Sequence, residues 1–383
     1  MRFIHTGDWH LGKSLHDMSL TDDQRFALDA LLRLAEDRRV DAIVVAGDVY
    51  DRAVPPTQAV GLLDDILAEL ALRLKIPVVM IAGNHDSPVR LQYLNGLVGR
   101  MGVHVVGEVG GEPQGVALVG GDGVEVTFWP LAYTDPETAR GALGRTDIHT
   151  HEAALLAHLE SIRARAAANA RHVVVAHAFV TGALPSKSER PLTVGGSGQV
   201  SKSVFSGFDY VALGHLHRPQ RVSERVRYAG SLLKYSFEEA DHRKSVMVVD
   251  LGADGSVAVE EVELPVRRDL VRLSGSFAEI MEHPEAAACR DAYVEVILTG
   301  GEAVLDPMER LRGVYPYILS MRREGSSLDV YSQDRPAVRG RSTRELFGDF
   351  FADVTGEALS EAQEDEVDAV LTSAAREARE VAS

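Results

Sequence analysis

The sequence predicts an α/β protein: a large strand–helix–strand domain, a smaller α/β domain after it, and helices at the C-terminal end. Three observations carry this. Short apolar runs that stop at glycine, such as Ile43-Val44-Val45-Ala46-Gly47, alternate with helical apolar spacing over residues 1–100. The pattern restarts as strand, helix, strand, helix, strand after Pro265-Val266-Arg267-Arg268. Two stretches that begin with Ser and carry Glu or Gln three residues on, Ser342/Glu345 and Ser360/Gln363, open the last two helices. The predicted domains are residues 1–264, 265–334 and 335–383.

In order, Arg2-Phe3-Ile4-His5-Thr6 is a strand that runs into Gly7-Asp8-Trp9-His10-Leu11-Gly12. Thr21 with Gln24 reads as a capping box, and Phe26, Ala27, Ala30, Leu31 and Leu34 as the buried face of the helix it starts. A strand from Ala42 to Ala46 delivers Asp48. Pro55-Pro56 breaks the chain before a helix from about Thr57 to Leu74, with Val60, Leu63, Leu67 and Leu70 at helical spacing. The strand Pro77–Ala82 ends in Gly83-Asn84-His85-Asp86, and Ser87-Pro88 opens another helix. These elements form a βαβαβ unit with right-handed crossovers.

From Val103 to Trp129 the chain reads as short antiparallel strands, and His151 to Ala168 as an alanine-rich helix. A strand from His172 to Ala176 ends at His177. Residues 182–203 form a Gly/Ser/Pro-rich loop with Lys187, Arg190 and Lys202. Tyr210 to Leu213 ends in Gly214-His215-Leu216-His217, and Val226–Ala229, Ser245–Asp250 and Val257–Leu264 complete a second group of strands. In the last helices, Phe347, Phe350, Phe351 and Val354, then Val367, Val370, Leu371, Ala374 and Ala375, mark the apolar faces, preceded by a linker with Arg335, Arg339, Arg341 and Arg344.

Composition bounds the function. The formal charge of −17 rules out a global basic surface and leaves only local basic patches for an anionic substrate. Cys289 is the only cysteine, so the chain forms no internal disulfide. The N-terminus lacks the apolar core of a signal peptide, and no apolar run is long enough for a membrane helix. A cytoplasmic protein with no membrane association is expected.

The chemistry is concentrated at five strand ends: Asp8-Trp9-His10, Gly47-Asp48, Gly83-Asn84-His85-Asp86, His177 and Gly214-His215-Leu216-His217. Open α/β sheets bind ligands at the carboxyl ends of their strands. Asp8 and His10, like His215 and His217, are two apart and share one side of an extended segment. Singly, each end is ordinary turn chemistry. Together they bring carboxylate, amide and imidazole groups to one sheet edge in a number that suits two divalent cations with a shared carboxylate. His16, His104, His149, His158, His172 and His242 have no such context and read as surface or satisfied core residues.

The ordered motifs D-x-H, G-D-x-x-D, G-N-H-D, H and G-H-x-H resemble those of the calcineurin-like metallophosphoesterases, and within them the bacterial SbcD branch of repair nucleases. The resemblance spans essentially the whole chain and is sharpest over residues 1–100 and 170–237. It implies a four-layer α/β/β/α sandwich, a smaller α/β capping domain and C-terminal partner-binding helices. It implies that Asp8, His10, Asp48 and His217 hold one metal and Asp48, Asn84, His177 and His215 the other, both typically Mn2+. His85 matches the family's catalytic histidine, with Asp86 orienting its ring. Asp51 stands where non-bacterial relatives often carry a second histidine and its role stays open; ligand orientation is the role expected of it, metal coordination the alternative, with Arg52 as a phosphate contact. The resemblance further implies DNA as substrate, 3′–5′ double-strand exonuclease and single-strand or hairpin endonuclease activity, an SbcC-like coiled-coil ATPase partner, and a homodimer within a heterotetramer. Leu91, Leu94, Leu97 and Val98 are the expected dimer seam, and Arg90, Lys187, Arg190, Lys202 and Arg218 the expected DNA contacts. The alternatives are a phosphoesterase acting on small phosphodiesters or phosphoproteins, and a binding scaffold on the same fold; a scaffold would have shed ligands, and none of the seven positions is lost.

Overall fold

The computed structural model describes residues 1–108, 110–167, 170–186, 188–189, 198–284, 286–300 and 304–324, with separate positions between 344 and 370. The chain forms two compact units. One holds Met1–Val271 with Asp291–Tyr293; the other holds Arg272–Arg290 and the chain from Val294 on.

The first unit contains two six-stranded sheets. One has the order Val257–Glu263, Ser245–Leu251, Arg2–Thr6, Ala42–Val45, Val78–Ile81, Val103–Val106. Its last four strands are parallel, and Ser245–Leu251 pairs antiparallel with both Arg2–Thr6 and Val257–Glu263. The other sheet has the order Gln220–Arg221, Val226–Tyr228, Tyr210–Gly214, Arg171–His177, Glu125–Leu131, Val116–Val119, with a parallel centre.

The sheets pack face to face. Phe3 of the first meets Phe128 and Tyr210 of the second edge-on, with ring centroids 5.3 and 5.7 Å apart. Ala42–Val45 and Val78–Ile81 are buried at every position, as strands covered on both faces must be. The helices Thr21–Asp37 and Thr57–Ala68 connect strands of the first sheet and bury one stripe each. The helix His151–Arg165 lies over the second sheet, with Arg165 above the Trp129 ring at 5.8 Å. This is the layered α/β fold that the sequence predicts.

Four details differ from expectation. Ser245–Leu251 and Val257–Glu263 extend the first sheet, not the second, so the chain returns to pair with its own first strand. Val103–Val106 is a parallel strand; antiparallel pairing begins at Val116–Val119. The helix expected as far as Leu74 passes into a wider π-helical turn over Glu69–Leu74. Thr21–Asp37 has no side-chain cap, and its buried stripe is Gln24, Ala27, Leu28, Leu31 and Ala35, with Phe26 exposed. Thr21 and Gln24 do not form a capping box because Gln24 is turned inward to another task, described below.

A three-stranded sheet, most of whose residues belong to the second unit, has the order Leu270–Gly275, Tyr293–Leu298, Ile318–Arg323. Ser276 and Glu279 form a full capping box at the helix Phe277–Met281, and Pro307 opens Pro307–Val314. Of the expected C-terminal helices, Ser360 N–H and Oγ both bond Gln363 Oε1, at 2.9 and 2.8 Å, and Arg344 pairs with Glu364 and Asp368. Phe347 is 41% exposed. Ser342, Glu345, Leu346, Phe350, Val354, Leu371, Ala374 and Ala375, and Arg335, Arg339 and Arg341 of the linker, lie outside the described residues.

Candidate metal centre

The five strand ends meet at one edge of the paired sheets. The first two loops zip together through backbone bonds: Asp8 N–H to Gly47 O (3.0 Å), His10 N–H to Asp48 O (2.9 Å) and Leu11 N–H to Val49 O (2.9 Å). Four non-glycine residues with positive φ sit here: Asp8 (49°), His10 (44°), Asp48 (45°) and His215 (107°). Each such conformation costs on the order of 1–3 kcal/mol and persists only where its surroundings enforce it. Close approach fixes the glycines. A Cβ on Gly83 would lie 2.2 Å from Asp48 Oδ1, and one on Gly214 1.8 Å from Ala46 O.

The seven predicted ligand side chains converge. His10 Nε2 and His217 Nε2 are 3.0 Å apart, and His10 Nε2 is 3.7 Å from Asp48 Oδ2. His177 Nε2 lies 3.4 Å from Asp48 Oδ2 and 2.9 Å from Asn84 Oδ1, which in turn lies 3.2 Å from His215 Nδ1. Asp8 accepts the His215 N–H at 2.9 Å and faces His177 Nδ1 at 3.9 Å. Two clusters place one donor atom per residue within 4.8 Å of one another: Asp8, Asp48 and His177, and His10, Asp51 and His85.

The other predicted residues fall around this cluster. Asp86 accepts three backbone N–H bonds, from Val49 (3.0 Å), Tyr50 (2.8 Å) and Gly83 (2.9 Å). It ties the second loop to the third. The Asp51 carbonyl lies 2.9 Å from His85 Nδ1 and takes the ring-orienting position expected of Asp86. The Asp51 carboxylate bonds Lys13 Nζ at 2.7 Å and lies 3.6 Å from His10 Nδ1. Arg52 is exposed, as are Lys202 and Arg218; the Arg90 guanidinium bonds Ala53 O; Lys187 and Arg190 lie outside the described residues.

Burial sets the electrostatics. It raises the Asp8 carboxyl to about 6, with His177 opposing and Asp48 adding to the rise. Burial raises Asp86 to about 7, helped by the Asp48 charge. Burial would raise Asp48 too, but His177 and the other imidazoles hold it well below the usual carboxylate range. His177 shows the reverse: burial depresses it, yet Asp48 and Asp8 carry it up to about 9. His215 is pushed down to about 3, first by burial and then by His177. The centre thus crowds buried carboxylates against imidazoles, with opposite shifts at His177 and His215.

This arrangement fits divalent cations. Facing ring nitrogens 3.0 Å apart are a poor hydrogen-bond pair when both are bare, but a normal spacing for two ligands of one ion. Among the described residues, His10 Nδ1 is buried without a hydrogen-bond partner. The mixed carboxylate, amide and imidazole set suits Mn, Fe or Zn.

Several supporting residues carry no motif. Gln24 accepts from Gly12 N–H (3.0 Å) and donates to Trp9 O (3.1 Å) and His10 O (2.7 Å), bracing the first loop. The Tyr235 ring packs edge-on against His10 and His217 at 5.3 and 5.8 Å. Glu239 and Lys244 form a buried ion pair behind His217. Burial would raise Glu239, but Lys244 and His217 hold it far below the usual carboxylate range. A single polar residue in an apolar stripe, such as Gln24, was the available signal. His158 is also not the satisfied residue expected: it is 2% exposed and both ring nitrogens lack a hydrogen-bond partner among the described residues, whereas His172 pairs with Trp129 Nε1 and Ala167 O.

Comparison with known proteins gives the class. Residues 1–219 match the calcineurin-like phosphoesterase family and residues 266–355 the SbcD C-terminal family, described as the type 5 capsule protein repressor C-terminal domain. The chain belongs to the calcineurin-like phosphoesterases, hydrolases that use divalent metals. More particularly, it is 30% identical over 377 residues to the SbcD subunit of the SbcCD nuclease from Staphylococcus epidermidis, covering 97% of this chain and 98% of that one. It is an SbcD nuclease-subunit homologue. Among solved structures it resembles TT1561 of Thermus thermophilus (16% identity, TM-score 0.38, 68% of this chain and 99% of that one) and a novel archaeal phosphodiesterase (9% identity, TM-score 0.30, 68% and 100%). No helix among the described residues is long and apolar enough to cross a membrane.

Proposed function

We propose that the chain is the nuclease subunit of an SbcCD-like complex, cutting DNA phosphodiesters at a two-cation centre bridged by Asp48. The observation that carries this is the convergence of seven carboxylate, amide and imidazole side chains from five strand ends on one buried edge. Asp8, His10, Asp48 and His217 hold one ion; Asp48, Asn84, His177 and His215 hold the other. Mn2+ suits the set, as Fe2+ and Zn2+ also do. Cations held by these residues would supply charge neutralisation at the phosphoryl oxygens and a more acidic water.

The chain's own residues do the rest. His85, its backbone N–H donating to Asp48 Oδ1 at 2.8 Å and its ring held by the Asp51 carbonyl, protonates the leaving oxygen. Asp86 fixes the loop that carries it. Asp51 holds Lys13 beside His10, and Lys13 and Arg52 meet the phosphate backbone.

The partner is a coiled-coil ATPase like SbcC, bound by the C-terminal helices, and the protein works in the cytoplasm. A homodimer forms through the segment after His85, where Leu94 and Leu97 are 48% and 63% exposed beside exposed Val89, Tyr93 and Met101. The activities are double-strand 3′–5′ exonuclease and single-strand or hairpin endonuclease.

The test is digestion of end-labelled duplex and hairpin DNA with Mn2+, with and without the ATPase partner and ATP, beside a phosphopeptide and a small phosphodiester. DNA cleavage above the other two supports the reading. Preference for phosphopeptide or small ester, with DNA intact, replaces it with the general phosphoesterase reading.

A further inference from the structure

His217 is held in an unusual way. Its backbone N–H donates to Glu189 Oε1 at 2.7 Å. Its carbonyl accepts from Lys244 Nζ at 2.8 Å and from Ser231 N–H at 3.1 Å. Its Nδ1 lies 2.8 Å from Ser188 Oγ and 3.2 Å from Glu239 Oε1. The one polar atom left is Nε2, which faces His10 Nε2. Glu239 and Lys244 are bonded to each other, and both are buried, at 0% and 2% exposure. Lys244 also bonds Ser231 Oγ at 2.9 Å. Ser231, Glu239 and Lys244 stand outside the five motif segments.

Two fully buried opposite charges are costly to desolvate, and an apolar pair of the same volume would serve packing as well or better. Their retention therefore calls for work that an apolar pair cannot do. The Ser188 hydroxyl donates to Glu239, so its oxygen and the carboxylate together accept at Nδ1; this keeps the proton on that nitrogen and leaves the Nε2 lone pair bare, which is the tautomer a metal ligand needs. Lys244 in turn fixes the carboxylate and the His217 carbonyl together, so the ring cannot swing without breaking a buried ion pair.

We infer that Glu239 is a positioning residue for the metal centre: clamped by Lys244, it sets the tautomer and direction of His217 and thereby the affinity of one of the two cation sites. This rests on the two-cation reading of His217. It assigns the pair to one ion and not to the general stability of the domain, because His10, Asp8 and Asp48 share that ion with His217 while Asn84, His177 and His215 are held by other groups.

Two measurements on the full chain separate the possibilities. In metal-free protein, imidazole 15N shifts report the tautomer: His217 carries its proton on Nδ1 in the wild type, and Glu239→Gln mixes or reverses the two forms. In Mn2+ titration calorimetry, Glu239→Gln weakens one of two sites by about 10–100-fold and leaves the other within about twofold. The neutral pair Glu239→Gln with Lys244→Met avoids a stranded buried lysine, and gives the same selective loss should the single variant not fold. Unchanged affinity at both sites, or an equal loss at both, overturns the inference. A wild-type protein that takes up no Mn2+ overturns the metal reading itself and with it this assignment, while the tautomer result stands apart and shows which of the two has failed.

Discussion

His10 Nε2 and His217 Nε2 face each other at 3.0 Å, although they lie 207 residues apart and come from different sheets. Neither ring leans on chance packing. His10 is seated by the zipped backbone of the first two loops, by the Gln24 amide at its carbonyl and by the Tyr235 ring, and His217 by Glu189, Glu239 and Lys244. A buried pair of nitrogens so held suits the ligand pair proposed for one cation.

The first prediction concerns Gln24. Replacing it with Leu keeps its volume in the apolar stripe but strands Gly12 N–H and takes one bond each from Trp9 O and His10 O, which still accept from Tyr235 OH and Lys13 N–H. Urea denaturation of metal-free Gln24→Leu should show a loss of about 1–3 kcal/mol, the cost of buried unpaired polar groups. The Mn2+ affinity should fall with it, because His10 loses its brace. Unchanged stability removes Gln24 from the account.

The Gly83 position is a matter of space. A methyl group there would sit 2.2 Å from Asp48 Oδ1 and 2.3 Å from its backbone nitrogen. Gly83→Ala should therefore displace Asp48 and abolish Mn2+ uptake at both sites, measured by metal analysis after gel filtration. Retention of two ions at wild-type affinity contradicts the close approach.

Acid stability turns on His5. This ring is fully buried between Tyr210 OH (3.0 Å) and Leu213 O (3.1 Å), and burial lowers its pKa from 6.5 to about 3 against a smaller opposing effect of the Leu213 bond. Between those values the unfolded chain binds the proton and the folded chain does not, so stability falls as pH falls from about 6.5 towards 3. The contribution of one such group is at most about 1.4 kcal/mol per pH unit. With metal chelated, His5→Gln should be less stable than wild type near pH 7 but lose stability less steeply on acidification. Parallel pH profiles for the two proteins count against it.

His85→Ala separates binding from chemistry. Metal content should persist, since the ring stands outside the seven ligands, while DNA cleavage falls by roughly 10²–10⁴, the usual worth of a general acid. Cleavage near the wild-type rate takes His85 out of the mechanism.

Much of this was legible in the sequence, for physical reasons. Apolar strands that end in Asp, Asn or His, four of the five after a glycine, are local signals, and each of the five strands is where it was expected. Ser360 with Gln363 makes the contact its spacing describes. What stayed hidden was non-local. Gln24 has the spacing of a capping box, but three backbone groups in a loop 12 to 15 residues away outcompete the helix end for its amide. Ser245–Leu251 reads as a strand from its β-branched residues, yet nothing in its own pattern says that it pairs with Arg2–Thr6 and not with its sequence neighbours. Glu239 and Lys244 look like surface charges until the fold buries them behind His217. The Asp51 carbonyl, a backbone atom, carries no side-chain signal for its place beside His85.

The central claim is that Asp48 is shared by two cations. Mn2+ titration calorimetry of wild type, Asp48→Asn and His10→Ala tests it most directly. The account predicts two equivalents for the wild type, weakening of both sites together in Asp48→Asn, and loss of one site first in His10→Ala. An Asp48→Asn protein that keeps either site at wild-type affinity would contradict it.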